Sequence, residues 1–151
     1  MKLVLDIETN SNASKIWCVA VRDVDCNECL LWDSPKGLQD YLNKAEKIIM
    51  HNGIFFDAPV LKRLWGITIK KSQVVDTLVL ARLFNPSIED GHSLDAWGER
   101  LGYYKAPYKQ IWSWLTDTPL STKEGNKVKD QSHLAFDEPV FILLHYYCER
   151  D

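Results

Sequence analysis

No apolar run in these 151 residues approaches the roughly 20 residues needed to cross a bilayer. The N-terminus also lacks the apolar core and cleavage site of an export signal, and Met1-Lys2-Leu3-Val4-Leu5-Asp6 reads as a strand, so a cytosolic setting is the default. An excess of positive charge is missing too: 18 Lys and Arg against 21 Asp and Glu leave a formal charge of −3. That argues against a broad basic surface for a polyanion and leaves room only for a small cleft or a helping partner. Cysteine is scarce, at Cys18, Cys26, Cys29 and Cys148, and nothing in their number or spacing suggests a secreted disulfide framework. Cys26 and Cys29 have zinc-knuckle spacing, but no second Cys/His pair lies nearby, so they read as thiols flanking a hairpin turn. The histidines His51, His92, His133 and His145 show no ligand spacing. No repeat, low-complexity tract or linker divides the chain, and its composition fits one globular domain with a sizeable core.

What is present is a set of carboxylates in separated motifs. Asp6-Ile7-Glu8 follows the apolar run Leu3-Val4-Leu5. Residues i and i+2 of a strand share a face, so Asp6 and Glu8 aim at one site while Ile7 turns to the other side. Asn52-Gly53-Ile54-Phe55-Phe56-Asp57-Ala58-Pro59 forms the second motif, with Pro59 suited to the first turn of a helix. Tyr147 and Asp151 form the third, four residues apart and therefore on one helical face. Crowded carboxylates repel one another and lose hydration, so such a cluster persists when cations lie among them. Hard oxygen ligands suit Mg²⁺ or Mn²⁺, and a pair of such ions is the usual machinery for in-line displacement at a phosphodiester. Taken singly, each motif has a plainer reading: Asp6 and Glu8 as strand-end charges, Asp57 as a helix cap, Tyr147 as a core residue. Asp76, before Thr77-Leu78, reads as a helix cap. Trp112 and Trp114 fit either core and interface packing or stacking on unpaired bases.

The surrounding pattern predicts strands over 3–7, 16–24, 29–32, 47–51 and 74–75. Helices are expected from Ser34-Pro35 onward, over 57–65 with Gly66 as its stop, over 77–84 and over 93–101 with Gly102 as its stop. Residues 103–131 look irregular, with 121–130 as a loop, and Asp137 is expected to cap a last helix running to the chain end. Antiparallel strands followed by βα units predict an α/β fold with a mixed five-stranded sheet flanked by helices.

In their order, Asp6-x-Glu8, Asn52-Gly53-x-x-Phe56-Asp57-x-Pro59-x-Leu61 and Tyr147-x-x-x-Asp151 resemble the motifs of DEDDy 3′→5′ exonucleases. The segments Asp76-Thr77-Leu78-Val79-Leu80-Ala81-Arg82-Leu83 and His92-Ser93-Leu94-Asp95-Ala96-Trp97-Gly98-Glu99-Arg100-Leu101-Gly102 narrow the resemblance to the proofreading domain of phage-type family A DNA polymerases. The resemblance implies a ribonuclease-H-like fold and one exonuclease domain over residues 1–151, its C-terminal helix cut short. It implies catalytic roles for Asp6, Glu8, Asp57, Tyr147 and Asp151, with the four acids holding two Mg²⁺ or Mn²⁺ ions. One ion would sit on Asp6, Glu8 and Asp151, the other on Asp6 and Asp57 through water, with Tyr147 and Glu8 orienting the attacking water. Thr9 would meet the terminal nucleotide through its backbone, and Asn52 would orient Asp57 or its loop on the substrate side. The implied substrate is the 3′ end of single-stranded or frayed DNA, the implied partner a polymerase domain or subunit, and the setting the host cytoplasm if the gene is a phage's. A 3′→5′ exoribonuclease and a non-catalytic nuclease-fold scaffold are the alternatives.

Overall fold

The computed structural model describes residues 1–150; Asp151, expected as a metal ligand, lies outside the described residues. Strands β1 (Lys2–Thr9), β2 (Ile16–Asp23), β3 (Cys29–Trp32), β4 (Lys47–Met50) and β5 (Val74–Asp76) form one sheet in the order β3-β2-β1-β4-β5. The β1–β2 and β2–β3 pairs are antiparallel, whereas β4 joins β1 and β5 joins β4 in parallel. The mixed sheet expected from the pattern is therefore present.

Alternation along β1 and β2 divides the core between the two faces of the sheet. Leu3, Leu5, Ile7, Val19 and Val21 pack on one side with Leu38 and Leu42 of α1 (Leu38–Asn43) and Val60 and Leu61 of α2 (Asp57–Trp65). On the other side, Cys18 and Ala20 pack with Tyr108 and Trp112 of α5 (Tyr108–Thr116), Ala135 of α6 (Leu134–Asp137) and Leu143, Leu144 and Cys148 of α7 (Phe141–Arg150). Between these units run α3 (Thr77–Phe84) and α4 (Leu94–Leu101). Trp112 is buried and its indole N–H donates to the Glu138 carbonyl, whereas Trp114 is 80% exposed. No helix among the described residues is long and apolar enough to cross a membrane.

Expected and observed elements part in four places, the first being α5, a nine-residue helix within the 103–131 segment expected to be irregular. Helix α1 starts at Leu38, not at Ser34-Pro35: the Pro35 carbonyl accepts from the Leu38 amide in a turn, and Gly37 caps the helix at a left-handed φ of 80°. Residues 121–130 are a hairpin, β6 (Ser121–Glu124) and β7 (Lys127–Asp130), joined by the two-residue turn Gly125-Asn126. Asp137 does not cap the last helix; it ends α6, and its carboxylate accepts from the backbone amide and hydroxyl of Ser11. These bonds hold its pKa below the usual carboxylate range.

Candidate active site

The register of β1 builds the first part of the site. Asp6 pairs with Ala20 and Glu8 with Cys18, so both acids project from the face that α7 covers, and Ile7 turns into the opposite core. Glu8 is 8% exposed and Thr9 is similarly buried. The β1–β2 register slips between Glu8 and Thr9, an irregularity of the kind that re-aims a strand end beside a site. The Thr9 hydroxyl donates to the Asn10 carbonyl at 2.9 Å.

The parallel pairing of β1 with β4 stops at Val4, so beyond it β1 is open on that side. Asp57 uses this opening. It is the first residue of α2, is 4% exposed, and its carboxyl lies close enough to the backbone of Ile7, the residue between the two acids of β1, for that backbone to lower its pKa. Phe56 occupies the cap position of α2 and no side chain caps that helix, so capping does not explain why an acid is buried here. Burial pushes the Asp57 pKa up to about 7, its own backbone and that of Ile7 oppose this, and the Asp76 charge adds to the rise.

The loop that delivers Asp57 is pinned from below. Asp76 accepts the amides of Asn52 and Ile54, each at 3.0 Å, and those of Leu78 and Val79 at the start of α3. Burial alone would raise its pKa, but these backbone bonds outweigh burial and hold it low, so Asp76 is a structural cap as its position predicts. Asn52 has a left-handed φ of 64°, and its carbonyl accepts from Phe55 and Phe56. A side chain on Gly53 would lie 2.3 Å from the Met50 Cβ, so only glycine lets the loop close over β4.

Helix α7 brings two further groups. The Tyr147 hydroxyl accepts a hydrogen bond from the Lys105 ammonium at 3.0 Å, and its ring packs against Tyr108 with centroids 5.2 Å apart. Tyr108 lies close enough to Glu8 that, after burial, the Glu8 charge is the next cause raising the Tyr108 pKa. Cys148 is buried beside Asp6, its Sγ 3.8 Å from the Asp6 carbonyl and 4.0 Å from Oδ2. Among the described residues, Asp6, Glu8 and Cys148 place potential ligand atoms within 4.8 Å of one another. The thiol also meets Cys18, and that contact, then burial, raises its pKa.

The structure thus brings Asp6 and Glu8 together, places Asp57 against the backbone between them, and sets Tyr147 beside Tyr108. Lys105 and Cys148 were missed by sequence reasoning. Cys148 is three residues before Asp151, a spacing that shares a helical face and could have drawn attention to it. Lys105 lies in an irregular segment that offered no such signal.

No family model matches the chain. It is 29% identical over 140 residues to the DNA-directed DNA polymerase of Escherichia phage T7, covering 71% of this chain and 20% of the polymerase. The DNA-directed DNA polymerase of Enterobacteria phage T3 matches with the same identity and coverage. The chain spans about a fifth of the length of these curated relatives. Among solved structures, the family B DNA polymerase from the hyperthermophilic archaeon Pyrobaculum calidifontis matches 97% of this chain and 22% of its own, at TM-score 0.57 and 16% identity. The EXD2 exonuclease domain soaked in Mg and GMP matches 97% of this chain and 76% of its own, at TM-score 0.44 and 16% identity.

Proposed function

We propose that this chain, a homologue of part of the phage T7 and T3 DNA polymerases with a ribonuclease-H-like exonuclease fold, is a metal-dependent 3′→5′ exonuclease acting on single-stranded or frayed DNA ends. The observation that carries this reading is the pair of acids Asp6 and Glu8 on one face of β1, with the buried Asp57 carboxyl beside the Ile7 backbone between them.

The donor set fits divalent cations. A carboxyl as buried as Asp57 resists ionisation without a nearby positive charge, and a cation supplies that charge. The carboxylate oxygens of Asp6, Glu8 and Asp57 suit Mg²⁺ or Mn²⁺, and Asp151 completes the expected set. When bound, such ions lower the pKa of water and offset charge on the leaving oxygen. In the proposed reaction water attacks the last phosphorus, the bond to the 3′ oxygen breaks, and a nucleoside 5′-monophosphate leaves. Glu8 and Tyr147 hold the water in line, Thr9 meets the terminal nucleotide, and Asn52 keeps the Asp57 loop in place. Duplex must fray before its end reaches groups this buried, so mispaired ends are cut faster. Exposed apolar side chains on α3 and α7, among them Leu83, Phe84 and Ile142, support association with a polymerase domain or subunit.

The test is digestion of a 5′-labelled oligonucleotide with Mg²⁺ or Mn²⁺ and, in parallel, with EDTA. The reading expects a ladder shortening from the 3′ end only when metal is present. Internal cuts, or a ladder that survives EDTA, would refute it. An RNA oligonucleotide of the same sequence separates the DNA from the RNA reading.

A further inference from the structure

Lys105 has no place in the motifs that define the site, yet its ammonium is 3.0 Å from the Tyr147 hydroxyl and 5.2 Å from the centre of that ring. It is half-buried in a pocket of about 430 Å³ that Tyr108, Lys109, Phe136 and Tyr147 also line. Asp95 lines the same pocket; what ties Lys105 to the site is its bond to Tyr147, and a positive group beside that hydroxyl favours the entry of a phosphodiester anion.

The segment that carries Lys105 is held from both ends. The Tyr103 amide donates to the Gly98 carbonyl at 2.8 Å, and the Tyr108 amide donates to that of Ala106 at 2.8 Å. A Cβ on Gly98 would lie 2.6 Å from the Tyr103 carbonyl oxygen, so the close seat of this segment on α4 requires glycine there. Tyr108 is anchored in turn by its hydroxyl, which donates to the Ala135 carbonyl. Lys105 is therefore presented by a braced segment.

Chemistry then fixes what the pair can do. An ammonium has three N–H donors and no acceptor, so in this bond the phenol oxygen must accept. The phenol O–H is thereby left to donate away from Lys105. We infer that Lys105 is a positioning and phosphate-binding residue: it orients the Tyr147 hydroxyl with one N–H and takes an oxygen of the terminal phosphate with another. This deepens the exonuclease reading and rests on it. A point charge suits the role, because phosphate oxygens present no fixed plane to a lysine.

The experiment compares wild type, Lys105→Met, Lys105→Arg and, as a charge control on the exposed hairpin, Lys123→Met. Calorimetry in Mn²⁺ measures binding of a nucleoside 5′-monophosphate and of the unphosphorylated nucleoside. A charged hydrogen bond is worth enough that Lys105→Met should weaken monophosphate binding on the order of tenfold and leave nucleoside binding unchanged. Lys105→Arg should recover part of the loss and Lys123→Met should match wild type. In turnover, Lys105→Met and Tyr147→Phe should lower kcat, and the double variant should be little worse than the poorer single one. Melting curves establish that each variant folds, and Lys105→Arg carries the comparison if Lys105→Met does not. Equal losses for nucleotide and nucleoside, or a double variant whose losses multiply, would overturn the inference. An inactive wild type whose monophosphate binding still depends on Lys105 would instead overturn the exonuclease reading.

Discussion

Without divalent metal, this protein should lose stability as the pH rises from about 4 to about 7, and Asp57 should be the reason. Its pKa moves from the ordinary 3.8 up to about 7, chiefly because the carboxyl is buried. In that window the folded state keeps a proton that the unfolded chain releases, so rising pH favours unfolding. Below the window both states are protonated and there is no penalty; above it the penalty is complete. At about 1.4 kcal/mol per pH unit, the interval between 3.8 and about 7 amounts to roughly 4 kcal/mol. His51 titrates against this trend: burial lowers its pKa, so its contribution rises as pH passes its ordinary value of 6.5. Comparing wild type with Asp57→Asn isolates the acid. Urea unfolding in EDTA at several pH values from 4 to 8 should show wild type falling and Asp57→Asn nearly flat by comparison. Mn²⁺ at a hundred times its dissociation constant should restore about 2.7 kcal/mol to wild type at pH 8 and less to the variant. Parallel pH profiles in EDTA would refute the reasoning, because Asp57 would then ionise freely in the fold.

Three further outcomes follow from the same geometry. Asp6→Ala should abolish cleavage and weaken Mn²⁺ binding in calorimetry, whereas Tyr147→Phe should slow turnover on the order of 10–1000-fold with metal affinity retained. Asp76→Ala removes the acceptor of the Asn52, Ile54, Leu78 and Val79 amides and should cost on the order of 3 kcal/mol in urea unfolding, since bonds to a charged group are strong and the freed amides lose their partner. Gly98→Ala drives a Cβ against the Tyr103 carbonyl and should cost about 1–3 kcal/mol while also lowering kcat by displacing Lys105, a pairing read from melting curves and rates on one preparation.

The frame is legible in the sequence where periodicity and caps agree. The pattern predicts a helix over 77–84 and one over 93–101, and the side chains of Asp76 and Ser93 cap these helices by accepting amides. Gly66 and Gly102 end theirs in the left-handed conformation they were expected to supply. The β1 alternation likewise puts Asp6 and Glu8 on one face. Local rules fail where a distant partner decides. Asp137 looks like a helix cap, but it is drawn to Ser11, 126 residues away in sequence. The β6–β7 hairpin buries almost nothing, so apolar alternation is absent and only its turn, Gly125-Asn126, betrays it. Lys105 meets Tyr147 across 42 residues through a packed loop, a proximity no spacing rule encodes.

The most direct test of the account is the position of Mn²⁺, located by anomalous scattering in crystals grown with a nucleoside 5′-monophosphate. The account predicts ions bound by Asp6, Glu8 and Asp57, with the nucleotide phosphate beside them and Lys105 on one of its oxygens. Mn²⁺ bound elsewhere, with these carboxylates left unligated, would contradict it.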